Sequence, residues 1–131
     1  MGKQLYQNLG TSPDNNLVAD AEGLVRIGAI IHPGEGELDR GTILAKDASG
    51  MYKPAVSGAM TGKMLCILDE AVDSGSDTTG DGVSARVYER GTFIYEKVAL
   101  VSGTLSADDQ VAMRTQGLFL RVLDGTIDNE V

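Results

Sequence analysis

Cys66, in MLCIL, and His32, in IIHPG, are the only cysteine and the only histidine of the 131-residue chain, so thiol or imidazole chemistry would rest on these two. A cysteine becomes a nucleophile when nearby positive charge stabilises its thiolate. Cys66 instead sits within a continuous apolar run, where the thiolate is disfavoured and the residue reads as a small buried hydrophobe. His32 ends an apolar stretch just before a Pro-Gly turn. Whether it meets Cys66 or a serine in space is a question for the tertiary structure. A single histidine excludes a multi-histidine metal site, and a single cysteine excludes an internal disulfide. The strained G-x-S-x-G elbow that exposes a serine nucleophile is absent.

Two further stretches imitate ligand sites. GAMTGKML (58–65) looks like a phosphate-binding loop, but that loop needs four residues between its glycines and a Ser or Thr after its lysine. Here three residues separate Gly58 from Gly62, and Met64 follows Lys63. The same stretch faintly resembles the Ala-Met-Lys-Met turn of biotin carriers, which Thr61 and Gly62 interrupt. A turn leading into a core strand is the reading it supports. DEAVDSGSDTTGDG holds Asp73, Asp77 and Asp81, spaced four apart. Calcium loops place oxygen ligands at alternate positions, so this spacing is too sparse, and the stretch reads as a solvated polar loop. No catalytic residue, cofactor site or metal site is assigned, and the chain is expected not to be an enzyme.

The elements that would position such groups are mostly strands. Seventeen glycines, only 5% aromatic residues and 42% hydrophobic residues describe a turn-rich chain whose core is built from Val, Ile, Leu and Ala. At this length one domain buries roughly 65% of its unfolded surface. The net charge of −8 argues against nucleic acid as a direct partner. No apolar run approaches the 18 residues of a membrane span, so no membrane partner is expected. The beginning of the sequence lacks the apolar core of a signal peptide, which points to synthesis in the cytoplasm.

Residues 1–23 show no period of 2 or 3.6, although Leu5, Tyr6, Leu9, Leu17 and Val18 lie among their polar residues. They read as an extended arm that orders on a partner, ahead of a compact domain over 24–131. In that domain Val25, Ile27, Ile30 and Ile31 predict a strand, followed by GTILAKD, MYKPAV and the apolar KMLCILDEAV. Pro54 places its strand at an edge or at a strand end. VSARVYERGTFIYEKV alternates, with Val83, Ala85 and Val87 on one face. The single helix is predicted over LSADDQVAMRTQG, capped by Ser106 with Asp108 and Asp109 in its first turn and closed by Gly117. LFLRVL supplies a last strand. The expected fold is mainly β with one short α-helix, a small barrel or tulip-like domain behind an N-terminal arm. The tripeptide RGT occurs at 40–42 and 90–92, but the likeness stops after about one strand, so this is no internal repeat.

In order and local phrasing, RGTILAKDASGMYKPA, then CILDEAV, then RGTFIYEKV followed by a short helix and a closing strand, the chain resembles the lambda-type bacteriophage head decoration proteins. The likeness covers roughly residues 38–123 and is sharpest in the strand with Gly91, Thr92, Phe93 and Tyr95. It implies a non-enzymatic homotrimer on the outer surface of an expanded capsid, at three-fold and quasi-three-fold sites, stabilising the head against DNA pressure. It also implies that the arm, through Leu5, Tyr6, Leu9, Leu17 and Val18, adds to the major capsid protein. The partners implied are that protein and further copies of this chain, and the location is the virion surface. From another class, a small β-barrel that binds a ligand or serves an enzyme as an accessory domain is the alternative, and it predicts a monomer with a ligand-sized cavity.

Overall fold

The computed structural model describes residues 17–122. Its strands are β1 (Val18–Ile31), β2 (Glu37–Leu38), β3 (Ile43–Lys46), β4 (Tyr52–Pro54), β5 (Leu65–Leu68), β6 (Val72–Asp73), β7 (Val83–Ile94) and β8 (Leu118–Arg121). A 3₁₀ turn covers Tyr95–Lys97, and α1 (Ala107–Thr115) precedes β8. The described residues are mainly β with a single short helix, as composition and turn signals predict.

Five strands close a ring of hydrogen bonds. β1 pairs with β4, β4 with β3, β3 with β5, β5 with β7, and β7 returns to β1, which makes the fold barrel-like. β7 is long enough to do three jobs. One edge takes β1 along its length, while the other takes β5 at Val87 and Tyr88 and then β8 from Gly91 to Ile94. Closure leaves few unpaired edges, which a small sheet must otherwise protect.

The run LCIL explains how the core divides. All four residues of β5 are buried, but successive side chains of a strand point to opposite faces. Cys66 and Leu68 join Ile31, Leu44, Tyr52, Ala85 and Val87, one contribution from each ring strand or more, and so fill the inside of the ring. Leu65 and Ile67 point the other way, to Ile43, Tyr88, Phe93, Met113 and Leu118 beneath α1 and β8. Both faces of the central strands are therefore covered, and an unbroken apolar run replaces alternation.

Local expectations hold at several points. Ser106 caps α1, its Oγ accepting from Asp109 N at 3.1 Å while Asp109 Oδ2 accepts from Ser106 N at 3.0 Å. Pro54 ends β4 opposite Leu44. The acidic stretch, read as a solvated polar loop, is not solvated throughout. Ser74 is buried, its Oγ accepts from Glu35 N at 2.8 Å, and β2 and β6 form a two-stranded patch beside it.

Candidate functional site: the first strand and its outer edge

The arm and the domain were expected to divide between residues 23 and 24, but β1 runs through that point without a break. Leu17 is 3% exposed and belongs to the core beneath α1, so it is a domain residue and not a free arm contact. Val18 lies opposite Phe93. Leu5, Tyr6 and Leu9 fall outside the described residues.

Periodicity fails in this stretch because the ladder is interrupted. Asp20 pairs with Thr92 and Val25 with Arg90, so four residues on β1 oppose Gly91 alone. Asp20 Oδ1 accepts from Glu22 N at 3.0 Å, and Gly23 takes a φ of 76°, which turns the excursion. From Arg26 onward regular alternation returns, with Ile27 and Ala29 against the ring interior and Arg26 and Ile30 outside. On the side away from β7, Ile31 pairs with Tyr52, and among the described residues Val18–Ile30 has no strand partner there.

The residues of the second RGT stretch meet this strand. Phe93 is fully buried against Tyr88, with ring centroids 5.2 Å apart. Thr92 sits between Asp20 on one side and Phe119 on the other. Tyr95 begins the 3₁₀ turn and is half-buried. Gly91 has a φ of 148°, and a Cβ there would lie 2.6 Å from Leu24 Cδ1, so its bare Cα admits the bulge. Gly41, of the first RGT, faces a different neighbour, since its Cβ would meet Lys97 O at 2.3 Å. Each glycine makes room for a crossing chain, and the sequences share no further role.

Near β1, Asp69 binds two arginines. Arg26 Nη1 donates to Asp69 Oδ2 at 2.9 Å, and Arg40 Nε donates to the Asp69 carbonyl at 2.8 Å with Nη2 3.3 Å from Oδ1. Tyr88 hydrogen-bonds the same carboxylate, and burial followed by that bond raises its hydroxyl pKa. The four residues come from separate elements, and no spacing in the sequence announces them. Every group here is engaged by another, so the cluster joins β1, the β2–β3 connection, β7 and the turn after β5.

The stretches that imitated ligand sites have structural occupants. In the phosphate-loop imitation, Gly58 N donates to both oxygens of Asp109, at 3.1 and 3.0 Å. An internal carboxylate thus fills the position an anion would take. Burial alone would raise the Asp109 carboxyl, but bonds from Ser106, Gly58 and Met60 outweigh it and hold the pKa below the usual range. Gln116 secures the other end of that loop, its Oε1 accepting from Leu65 N at 2.8 Å and its amide donating to Lys63 O. Burial pushes the Cys66 thiol far up, with Glu89 adding a smaller effect, which suppresses its thiolate. His32 engages Pro33 O at 2.8 Å, with Glu35 and Asp47 carboxylates at 3.7 and 4.0 Å. In the acidic loop, Asp77 turns back onto Thr79, whose backbone and hydroxyl bonds lower its pKa. Among the described residues no three His, Cys, Asp or Glu side chains converge to hold a cation, and no helix is long and apolar enough to cross a membrane. No protein-family model and no curated protein matches the chain.

Proposed function

We propose that the chain is a non-enzymatic structural protein that decorates the outer surface of an expanded phage capsid as a homotrimer. The segment ahead of Leu17 serves as the arm that adds to the major capsid protein. The observation that carries this reading is the outer edge of β1, which has no strand partner over Val18–Ile30 among the described residues. Residues 1–16 lead directly into that edge, and β1 is locked to the strand on which the decoration-protein likeness is sharpest. Strand addition at such an edge supplies main-chain hydrogen bonds without a catalytic group.

Leu17 belongs to the domain core, so the arm of this reading is shorter than the sequence alone implies. Ordering about 16 residues costs on the order of 1–2 kcal/mol each in backbone entropy, offset by hydrogen bonds and by burial of apolar side chains. A single arm therefore binds weakly. Three arms on one trimer raise apparent affinity by about 10²–10⁴. The alternative, a ligand-binding barrel, is disfavoured by the ring interior, which Leu44, Cys66, Leu68 and Val87 fill with fully buried side chains.

The test adds purified protein to expanded capsids. Saturation at three copies per three-fold site, lost on removal of residues 1–16 while light scattering still reports a trimer, is the expected result. A monomer at high concentration, or undiminished binding after the deletion, overturns it.

A further inference from the structure

Three of the five lysines of this acidic chain line one shallow groove between the β3–β4 hairpin and the loop that follows it. Lys46, Lys53 and Lys63 surround a floor that includes Pro54, Val56 and Ala59, in a groove of about 250 Å³. All three lysines are exposed, and among the described residues no carboxylate lies within ion-pair distance of their ammonium groups. Asp47 also lines the groove, but its carboxylate accepts from Ser49 N and Oγ and from Met51 N.

A surface of the opposite charge lies on the two-stranded β2–β6 ribbon. Its register sets Glu37 directly opposite Asp73, and both are exposed. Like charges facing each other across a ladder destabilise it. Among the described residues neither carboxylate pairs with a cation, although Asp73 Oδ1 accepts from Gly75 N at 2.9 Å. Exposed Asp39 follows β2 and exposed Glu70 precedes β6, so the ribbon is acidic along its flanks as well.

The groove and the ribbon do not meet within one chain. On the β3–β5 pair, Lys46 N donates to Met64 O at the end that carries the groove. At the other end Gly41 N donates to Leu68 O, and there the chain comes from β2 and leaves for β6. A second copy can bring the two surfaces together. With a net charge of −8, copies of this chain repel one another, so a stable contact between them must set opposite charges face to face. A contact between two different surfaces repeats head to tail, and it closes into a ring where the rotation allows.

We propose that the Lys46–Lys53–Lys63 groove of one copy receives the Glu37–Asp73 ribbon of a second copy, and that three such contacts close the homotrimer. The lysines offset the repulsion between Glu37 and Asp73, which nothing described in a single chain relieves. This contact rests on the homotrimer reading and assigns the two faces that reading needs.

Light scattering at about 0.1 M salt tests it, since charges there act over about 10 Å and contacts at the interface dominate. The unaltered chain should have the mass of three copies. Lys53→Glu with Lys63→Glu should reduce it to one, and so should Glu37→Lys with Asp73→Lys. All four substitutions in one chain should restore three. Variants of either face that remain trimers overturn the proposed faces and leave the homotrimer reading standing. A combined variant that is folded by circular dichroism yet stays monomeric does the same. A monomeric unaltered chain overturns both. Should a variant fail to fold, carbodiimide cross-linking of the unaltered chain decides. Amide links from Lys46, Lys53 or Lys63 to Glu37 or Asp73 are expected in covalent species of two or three chain masses, and their absence from those species overturns the proposal.

Discussion

The Asp109 carboxylate accepts the backbone N–H of Gly58 across 51 residues of sequence, with N–O distances of 3.1 and 3.0 Å. Since the same carboxylate completes the capping box of α1, one side chain joins the helix start to the loop ahead of β5. Asp109→Ala removes the reciprocal half of the capping box and leaves the Ser106 and Gly58 N–H groups without that acceptor, a combined cost of about 1–3 kcal/mol. Urea unfolding at pH 7 measures it, and a loss below about 1 kcal/mol contradicts the assignment.

The same contact has a pH signature. The folded pKa of Asp109 lies below its unfolded value, so its contribution is fully present above about pH 3.9. That contribution is lost as pH falls through the folded pKa. Asp47 and Asp77 are lowered as well, so the decisive measurement is a difference. Between about pH 5 and pH 2 the stability gap between the native chain and Asp109→Asn should narrow. A gap that stays constant over this window rules out the linkage.

Gly41 and Gly91 should respond differently to alanine. At Gly41 the added Cβ meets the backbone Lys97 O at a φ of 96°, and a backbone atom cannot rotate away. A cost of about 3 kcal/mol or more is expected there. At Gly91 the obstacle is the tip of Leu24, which can move, so about 1–3 kcal/mol is expected. Gly28, with open space around its Cα and no positive φ, serves as the control, and Gly28→Ala should leave stability unchanged or slightly raised. Thermal melts of the three variants give the order, and an equal loss at Gly28 contradicts it.

Cys66 should be silent towards thiol reagents until the chain opens. Its side chain is fully buried and its thiolate suppressed. Alkylation by iodoacetamide at pH 8 is expected to track global unfolding as urea is raised. Rapid labelling in native buffer would show that the ring interior is accessible.

The two arginines on Asp69 should couple to it unequally. Arg26 keeps 49% of its side chain exposed, whereas Arg40 keeps 27% and also binds the Asp69 carbonyl. Asp69→Ala is expected to cost about 1–3 kcal/mol. Double-mutant cycles should assign the larger and less salt-sensitive coupling to Arg40. Equal couplings that vanish together in high salt would refute this ranking.

The start of the domain was poorly legible because its strand is held from outside. Asp20, Glu22 and Gly23 break the alternation, so residues 18–23 look like arm in the sequence. Their pairing is decided by β7, some 70 residues later, which offers Phe93 and Thr92 as partners. The helix was legible to within a residue because Ser106 and Asp109 lie in its own first turn. For the candidate site, Phe93 stood out as a strand residue, but nothing near it in sequence announced that Val18 would face it or that Asp69 would gather Arg26, Arg40 and Tyr88.

By itself the sequence determined the β-rich class, the capped helix, the restriction of Pro54 to a strand edge or end and the burial of Cys66. These follow from interactions within a few residues, where period, capping and turn chemistry act. Only the tertiary structure decided the closure of the ring, the split of LCIL between two cores and the use of Asp109 as an internal anion for Gly58. It also decided the passage of β1 through the expected arm boundary. Those contacts join residues as far as 75 positions apart, and chain topology sets which of many compatible partners comes within reach.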